Sequence, residues 1–326
     1  MSERAKIAIL GSATIDKIIK DSKISQKIGG TVTYGGITFQ KHGLTTVLVT
    51  NIAQKDGRIL KTLDQLGLEA ISFPSEETTS FVNHYKGEMR WQEMHTKAAP
   101  ITLEQALPVI RKVDHVHLGP LHPEDVVPEL FEELAHNSCL VSLDVQGYVR
   151  EIKQGKVQLK ISDILHKVLQ AAQVIKADYS ELEAILKAYR TDRETLKKVY
   201  GLEELVITRA DMGGTVVAGE TVHYPAELVS QVVDSTGAGD VFFAAYLAKR
   251  YHEDESIAES SRHAASIAAA HVAGRYLPVD ALDLSPAPWC YVPITPKHPG
   301  KNHPMEPVYT SGWKSPNGMI KPRLRS

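Results

Sequence analysis

The chain has 326 residues, 43% hydrophobic and 23% charged, which is material enough for one large α/β domain or two smaller ones. Its 37 basic and 39 acidic residues leave a formal charge of -2, so the footprint needed for long nucleic acid or anionic lipid is missing and a small-molecule ligand fits better. Cys139 and Cys290 lie outside any disulfide or zinc spacing, the first apolar run is too short for a signal peptide, and no stretch reaches the ~18 apolar residues of a membrane span, so a cytoplasmic protein is expected.

Short runs rich in Ile and Val recur at 5–10, 46–50, 70–73, 115–118, 140–143, 173–175 and 205–208. Helical patterns lie between them, which predicts an α/β fold with a mostly parallel sheet and helices on both faces. Ile59, Leu60, Leu63 and Leu66 share one helical face, and Thr102 with Gln105 has capping-box spacing ahead of 106–110. Two regions break the alternation, 14–34 and 78–97, and these predict a small β lid with Arg90 and Trp91 as candidate substrate contacts, sheet packing being the stronger reading for Trp91. His115 and His117 share a strand face, but with His122 they lack an acid or cysteine to complete a metal site. An Ala-rich helix is predicted over 256–273, closing a domain of residues 1–285, and the Pro- and Gly-rich segment 286–326 reads as an irregular tail.

The chemistry concentrates in QVVDSTGAGDVFFAAYLAKRY. An extended run ends at Asp234, and Thr236, Gly237, Ala238, Gly239 and Asp240 then open a helix. The glycines permit a tight turn, and the first amides of a helix with its dipole make an anion site. Asp240 stabilises a helix start in any case, yet it also puts a carboxylate beside that anion site, where it can take a proton from a bound hydroxyl. The dinucleotide fingerprint is excluded because Phe242 occupies the third glycine position, and no GxxxxGK[ST] is present.

DSTGAGD closely resembles the DTxGAGD signature of the ribokinase family, also called the PfkB carbohydrate kinases. The resemblance implies a ribokinase-like fold and an ATP-dependent kinase acting on an alcohol of a small sugar, polyol or nucleoside. Gly237, Ala238 and Gly239 would form the anion hole and Asp240 would be the base. Other segments follow in the family's order over most of 5–275. In IAILGSATID, Asp16 matches the acid that grips sugar hydroxyls, and Gly35 with Gly36 matches the substrate-side glycine pair. Gln40 stands where the family usually has Asn.

KADYSELEAIL resembles the NxxE motif, so Glu181 would sit near magnesium, with Asp178 replacing the usual Asn; Ser180 and Glu183 equally suit a plain helix start. VITRADMGG resembles the loop near the nucleotide phosphates, giving Thr208 and Gly213, together with Thr236, a nucleotide role, with Ala210 where many members carry Gly. Asp144, Gln146 and Arg150 end a strand where open sheets bind ligands. The cofactors implied are ATP and Mg2+. Many relatives hold K+ beside the signature loop, for which Asp234 is the local candidate, and a homodimer through the lid is a further implication. Two rival readings stay open: a sugar-phosphate acceptor met by Lys17, Lys20, Lys23 and Lys86, and a catalytically silent sugar- or nucleoside-binding protein.

Overall fold

The computed structural model describes residues 6–20, 23–87 and 89–285, so the expected tail lies outside the described residues. Nine strands form the main sheet, in the spatial order Thr221–Tyr224, Gly214–Val217, Glu204–Thr208, Val174–Asp178, Leu140–Asp144, His115–Leu118, Lys6–Leu10, Thr45–Val49 and Glu69–Ile71. The last seven of these run parallel, and they are the seven apolar runs read from the sequence. The 214–224 hairpin adds an antiparallel edge.

Burial on both faces explains why those strands are continuous apolar runs. Ala8 and Leu10 point into a core shared with Ala106, Phe131 and Leu182, while Ile7 and Ile9 point into one shared with Val32, Phe39, Val241 and Phe243. Helices Leu103–Ile110, Glu129–Ala135, Leu165–Ala171 and Tyr179–Tyr189 therefore cover one face. Arg58–Gln65, Thr31–Lys41, Ala238–Leu247 and Ile257–Val272 cover the other. The capping box expected at Thr102 is half formed: Thr102 accepts from the Gln105 amide, but the Gln105 side chain is drawn to Asn51 instead. After Lys6–Leu10 the chain builds one side of the sheet, then returns to add His115–Leu118 on the other. That reversal marks the crevice where ligands bind in open α/β sheets.

A second sheet of six strands stands over this crevice, in the order Arg150–Lys153, Lys156–Leu159, Met89–Thr96, Ser80–Lys86, Thr14–Lys20 and Lys23–Gly29. Both predicted lid regions are in it, but the first ends at Gly29, because residues 31–34 already belong to a helix. The 150–159 hairpin was not foreseen; Arg150 opens its first strand, and the turn uses positive φ at Gln154 and Gly155.

Register separates the lid's faces. Asp16 pairs with Lys27 and Phe81, which puts Asn83 and Tyr85 on the same face. Trp91 pairs with His84 on the opposite face, where it is 40% exposed and stacks on the His84 ring at 4.6 Å. Of the two readings of Trp91, packing on the sheet holds and a substrate contact does not. Lys17, Lys20, Lys23 and Lys86 are all exposed on lid strands and form surface charge instead of a phosphate pocket.

Candidate active site

Gly237 caps the Ala238–Leu247 helix with φ +80, a left-handed conformation, and an added Cβ would stand 2.4 Å from the Tyr34 ring. Any side chain is excluded twice over, by backbone and by contact. The Ala238 amide turns back to the Ser235 carbonyl at 3.2 Å, so of the three amides expected to form an anion hole this one is engaged. The Gly239 and Asp240 amides lie in the first turn, where the helix supplies no carbonyl.

Asp240 is partly buried, and its Oδ1 accepts from Thr31 Oγ1 at 2.9 Å and, more distantly, from Gln146 Nε2 at 3.4 Å. Arg150 donates to Gln146 Oε1 at 2.8 Å, so the three groups form one chain ending on the carboxylate. Burial, and then the nearby Asp144, push the Asp240 carboxyl up to about 6, against the pull of Lys176, Thr31 and Arg150. A base poised near the operating pH is what proton abstraction needs.

Lys176, in the middle of Val174–Asp178, is buried and pairs with Asp144 Oδ2 at 2.5 Å. An added Cβ on Gly239 would lie 3.2 Å from its Nζ, so this ammonium backs directly onto the signature turn. Burial opposes its charge, but Asp144, Glu181 and Asp240 hold it above the ordinary lysine value. The sequence reading missed Lys176. The available signal was a lysine inside VIKAD, since a buried charge requires a partner.

Asp178 and Glu181 form a complete capping box on the Tyr179–Tyr189 helix: Asp178 Oδ1 accepts the Glu181 amide at 2.8 Å, and Glu181 Oε2 accepts the Asp178 amide at 2.8 Å. Asp178 Oδ1 also accepts from Ser180. Burial, then Asp144, lift the Glu181 carboxyl to about 7.

On the lid side Asp16 is buried, and its Oδ1 accepts from Thr14 Oγ1 at 2.8 Å. The glycine pair beside it is not the expected one. Gly35 and Gly36 lie in the middle of Thr31–Lys41 and are buried against Ile9, Ala244, Leu48 and Leu68. Gly29 and Gly30 hold the helix N-terminus: a Cβ on Gly29 would strike Asp16 Oδ2 at 2.2 Å, and Gly30 has φ +90. The position four residues after this pair is Tyr34, not Gln40. Gln40 sits in the last turn and donates to the Gly67 carbonyl at 2.8 Å, away from Asp240.

Asp234 is paired with Lys27 through Oδ2 and accepts the Thr236 amide on Oδ1 at 2.8 Å. Thr236 is buried, and its carbonyl accepts from His271 Nε2 at 2.8 Å. Thr208 ends its strand beside Asp178, and Gly213 follows a short turn in which Ala210 is forced to φ +48. His115 and His117 do share a face and both bond to Ser142, at 2.7 and 2.8 Å, as parts of the core.

A family profile described as "pfkB family carbohydrate kinase" matches residues 4–277. A fructokinase from Escherichia coli is 27% identical over 260 residues, covering 74% of this chain and 83% of that protein. Among solved structures, the sulfate complex of a pyrophosphate-dependent kinase in the ribokinase family superposes with a TM-score of 0.74 at 23% identity, covering 84% of this chain and 98% of its own. Arabidopsis thaliana ribokinase complexed with ribose and ATP superposes with a TM-score of 0.66 at 18% identity, covering 86% and 96%. The fold is thus ribokinase-like. The profile spans the lid, the crevice and the signature turn, and the chain belongs to the pfkB family of carbohydrate kinases.

Proposed function

We propose that this kinase transfers a phosphoryl group from ATP to a hydroxyl of a small sugar, polyol or nucleoside, with Asp240 as the base. One observation carries the reading: a carboxylate raised to about 6 stands in the first turn of a helix whose open amides and adjacent Lys176 suit a phosphate. The acceptor lies between the lid and the sheet, with Asp16 taking hydrogen bonds from its hydroxyls. Asp240 accepts the proton of the attacking alcohol, and Thr31 and Gln146 fix the direction in which its carboxylate points. The Gly239 and Asp240 amides and the Lys176 ammonium stabilise charge on the transferring group. Thr208, Gly213 and Thr236 border the donor side.

The donor set fits magnesium, a hard ion that takes one or two carboxylates and keeps several waters. Glu181 would hold it, because a carboxyl that burial keeps near neutrality gains from a cation. Asp178 Oδ1 already takes two donors, the Glu181 amide and Ser180, where Glu181 Oε2 takes one, so Asp178 would contribute less. When bound, the ion neutralises charge on the donor phosphates.

The test is release of ADP from Mg-ATP across a panel of sugars, polyols and nucleosides, with pyrophosphate as the control donor. Asp240→Asn is expected to lose roughly 10² to 10⁴ in turnover. Equal rates in parent and variant overturn the assigned base. Ligand-induced thermal stabilisation with no turnover favours the silent binding protein.

A further inference from the structure

The chain enters the signature turn from one end of the Ile257–Val272 helix. The amides of Val233 and Asp234 both donate to the Val272 carbonyl, at 2.9 and 3.3 Å, and two residues later the Thr236 carbonyl accepts from His271 Nε2 at 2.8 Å. His271 is 5% exposed, and its other ring nitrogen, Nδ1, is buried without a partner. A carbonyl only accepts, so the ring proton is on Nε2. Burial holds the imidazole below the ordinary histidine range, so the ring is neutral and Nδ1 is a bare lone pair. An apolar side chain would fill this space with no orphaned nitrogen. What the histidine adds is the bond to Thr236.

That bond fixes the peptide joining Thr236 to Gly237. The peptide is trans, so its C=O and N–H point in opposite directions. With the Thr236 carbonyl turned to the Ile257–Val272 helix, the Gly237 N–H is turned away from it, and no acceptor among the described residues meets this amide. No side chain at 237 enforces the orientation. Glycine takes either sign of φ with similar ease, so the 236–237 peptide could rotate as a plate between two settings. His271 supplies the contact that selects one.

We propose that His271 is a positioning residue for phosphoryl transfer: by holding the Thr236 carbonyl it aims the Gly237 amide at the transferring group; this rests on the kinase reading above. The Gly237 amide joins those of Gly239 and Asp240, and takes the place of the Ala238 amide, which is engaged with Ser235. Donors fixed in advance stabilise the charge that develops on the phosphoryl oxygens, so the contribution is made in the transition state and not in holding the acceptor.

Three substitutions separate positioning from packing. His271→Leu keeps the bulk and removes the donor. His271→Gln places an amide nitrogen close to the Nε2 position, whereas His271→Asn places one at the Nδ1 position, out of reach of the carbonyl. The Leu and Asn variants are expected to lose about 10- to 100-fold in kcat with the acceptor KM within about twofold of the parent, and the Gln variant to recover most of that loss. MgADP with aluminium fluoride and the best acceptor of the panel mimics the transferring group without turnover. The rise in melting temperature that it produces is expected to shrink in the Leu and Asn variants and to return in the Gln variant. Should the Leu variant fail to fold, Asn against Gln decides alone. The inference is overturned when the Asn variant keeps the parent's kcat, when the Gln variant falls as far as the Asn variant, or when the loss lies in KM. A parent that turns over no acceptor sinks the kinase reading and this inference with it. A parent that turns over an acceptor and is matched by the Asn variant sinks this one alone.

Discussion

Thr31 Oγ1 donates to Asp240 Oδ1 at 2.9 Å, joining the first residue of the helix below the lid to the first turn of the signature helix. The bond favours the charged carboxylate, opposing the burial that raises it. Thr31→Val keeps the shape and removes the donor. A hydrogen bond to a charged acceptor is worth ~1.5–3 kcal/mol, so the acid limb of the kcat/KM profile, near 6 in the parent, is expected to move up by about one unit. A limb that stays in place would show that Thr31 does not act on the base.

Asp240 also links activity to stability, and the sign follows from its raised value. Folded Asp240 titrates at about 6 against an ordinary 3.8, so the folded chain holds a proton that the unfolded chain has released. The contribution of Asp240 to stability is therefore lost as pH rises from about 4 through 6 and is gone above 7, while Glu181, lifted to about 7, adds a loss of the same sign in both proteins. Asp240→Asn has no such term. It should match the parent near pH 4 and exceed it above pH 7 by ~1–2 kcal/mol, after discounting the shift for partial exposure. His115 lies well below the ordinary histidine value and His117 at about 4, both chiefly through burial. Both destabilise the fold as pH falls from 6.5 towards 4, but equally in the two proteins, and so cancel in the difference. Paired melting curves from pH 4 to 8 decide it, and parallel curves would refute the linkage.

Much of this arrangement is legible in the amino-acid order because doubly covered parallel strands must be apolar throughout, and because DSTGAGD is long enough to specify a turn. The glycine pair was not legible. Gly29–Gly30 and Gly35–Gly36 stand six residues apart, and the segment between them, TVTY, is too rich in β-branched residues to announce a helix start. Only the tertiary contact of Gly29 with Asp16 identifies the pair that lies at the pocket. Lys176 was hidden for a similar reason, since its partner Asp144 is on the adjacent strand and 32 residues away. The 150–159 hairpin has no fully buried residue and a polar alternation that gives a weak strand signal.

Ala210 gives a direct test of local strain. It is exposed, follows Arg209, and has φ +48, where a Cβ crowds the following carbonyl. Many family members carry Gly at this position. The left-handed conformation costs a non-glycine residue ~1–2 kcal/mol, offset by ~0.4–1 kcal/mol for the greater freedom of glycine in the unfolded chain. Ala210→Gly is thus expected to stabilise the protein by ~0.5–1 kcal/mol in denaturant titration. A destabilised variant would mean that Ala210 is not strained.

Many relatives hold a monovalent ion beside the signature loop. Asp234 was the local candidate to bind it, but its carboxylate is already occupied on both oxygens, by Lys27 and by the Thr236 amide. Although burial opposes charge there, these two partners hold the Asp234 carboxyl below its ordinary range. A potassium ion on that side chain would have to displace a half-buried ammonium or stand beside it, and either arrangement is costly where solvent screening is weak. Turnover should therefore be the same in potassium, sodium and tetramethylammonium chloride at equal ionic strength. Lys27→Met removes the built-in cation, and its lost activity should return in part with potassium but not with tetramethylammonium. A parent enzyme that is inactive in tetramethylammonium and restored by potassium would mean that Lys27 leaves the ion's site open.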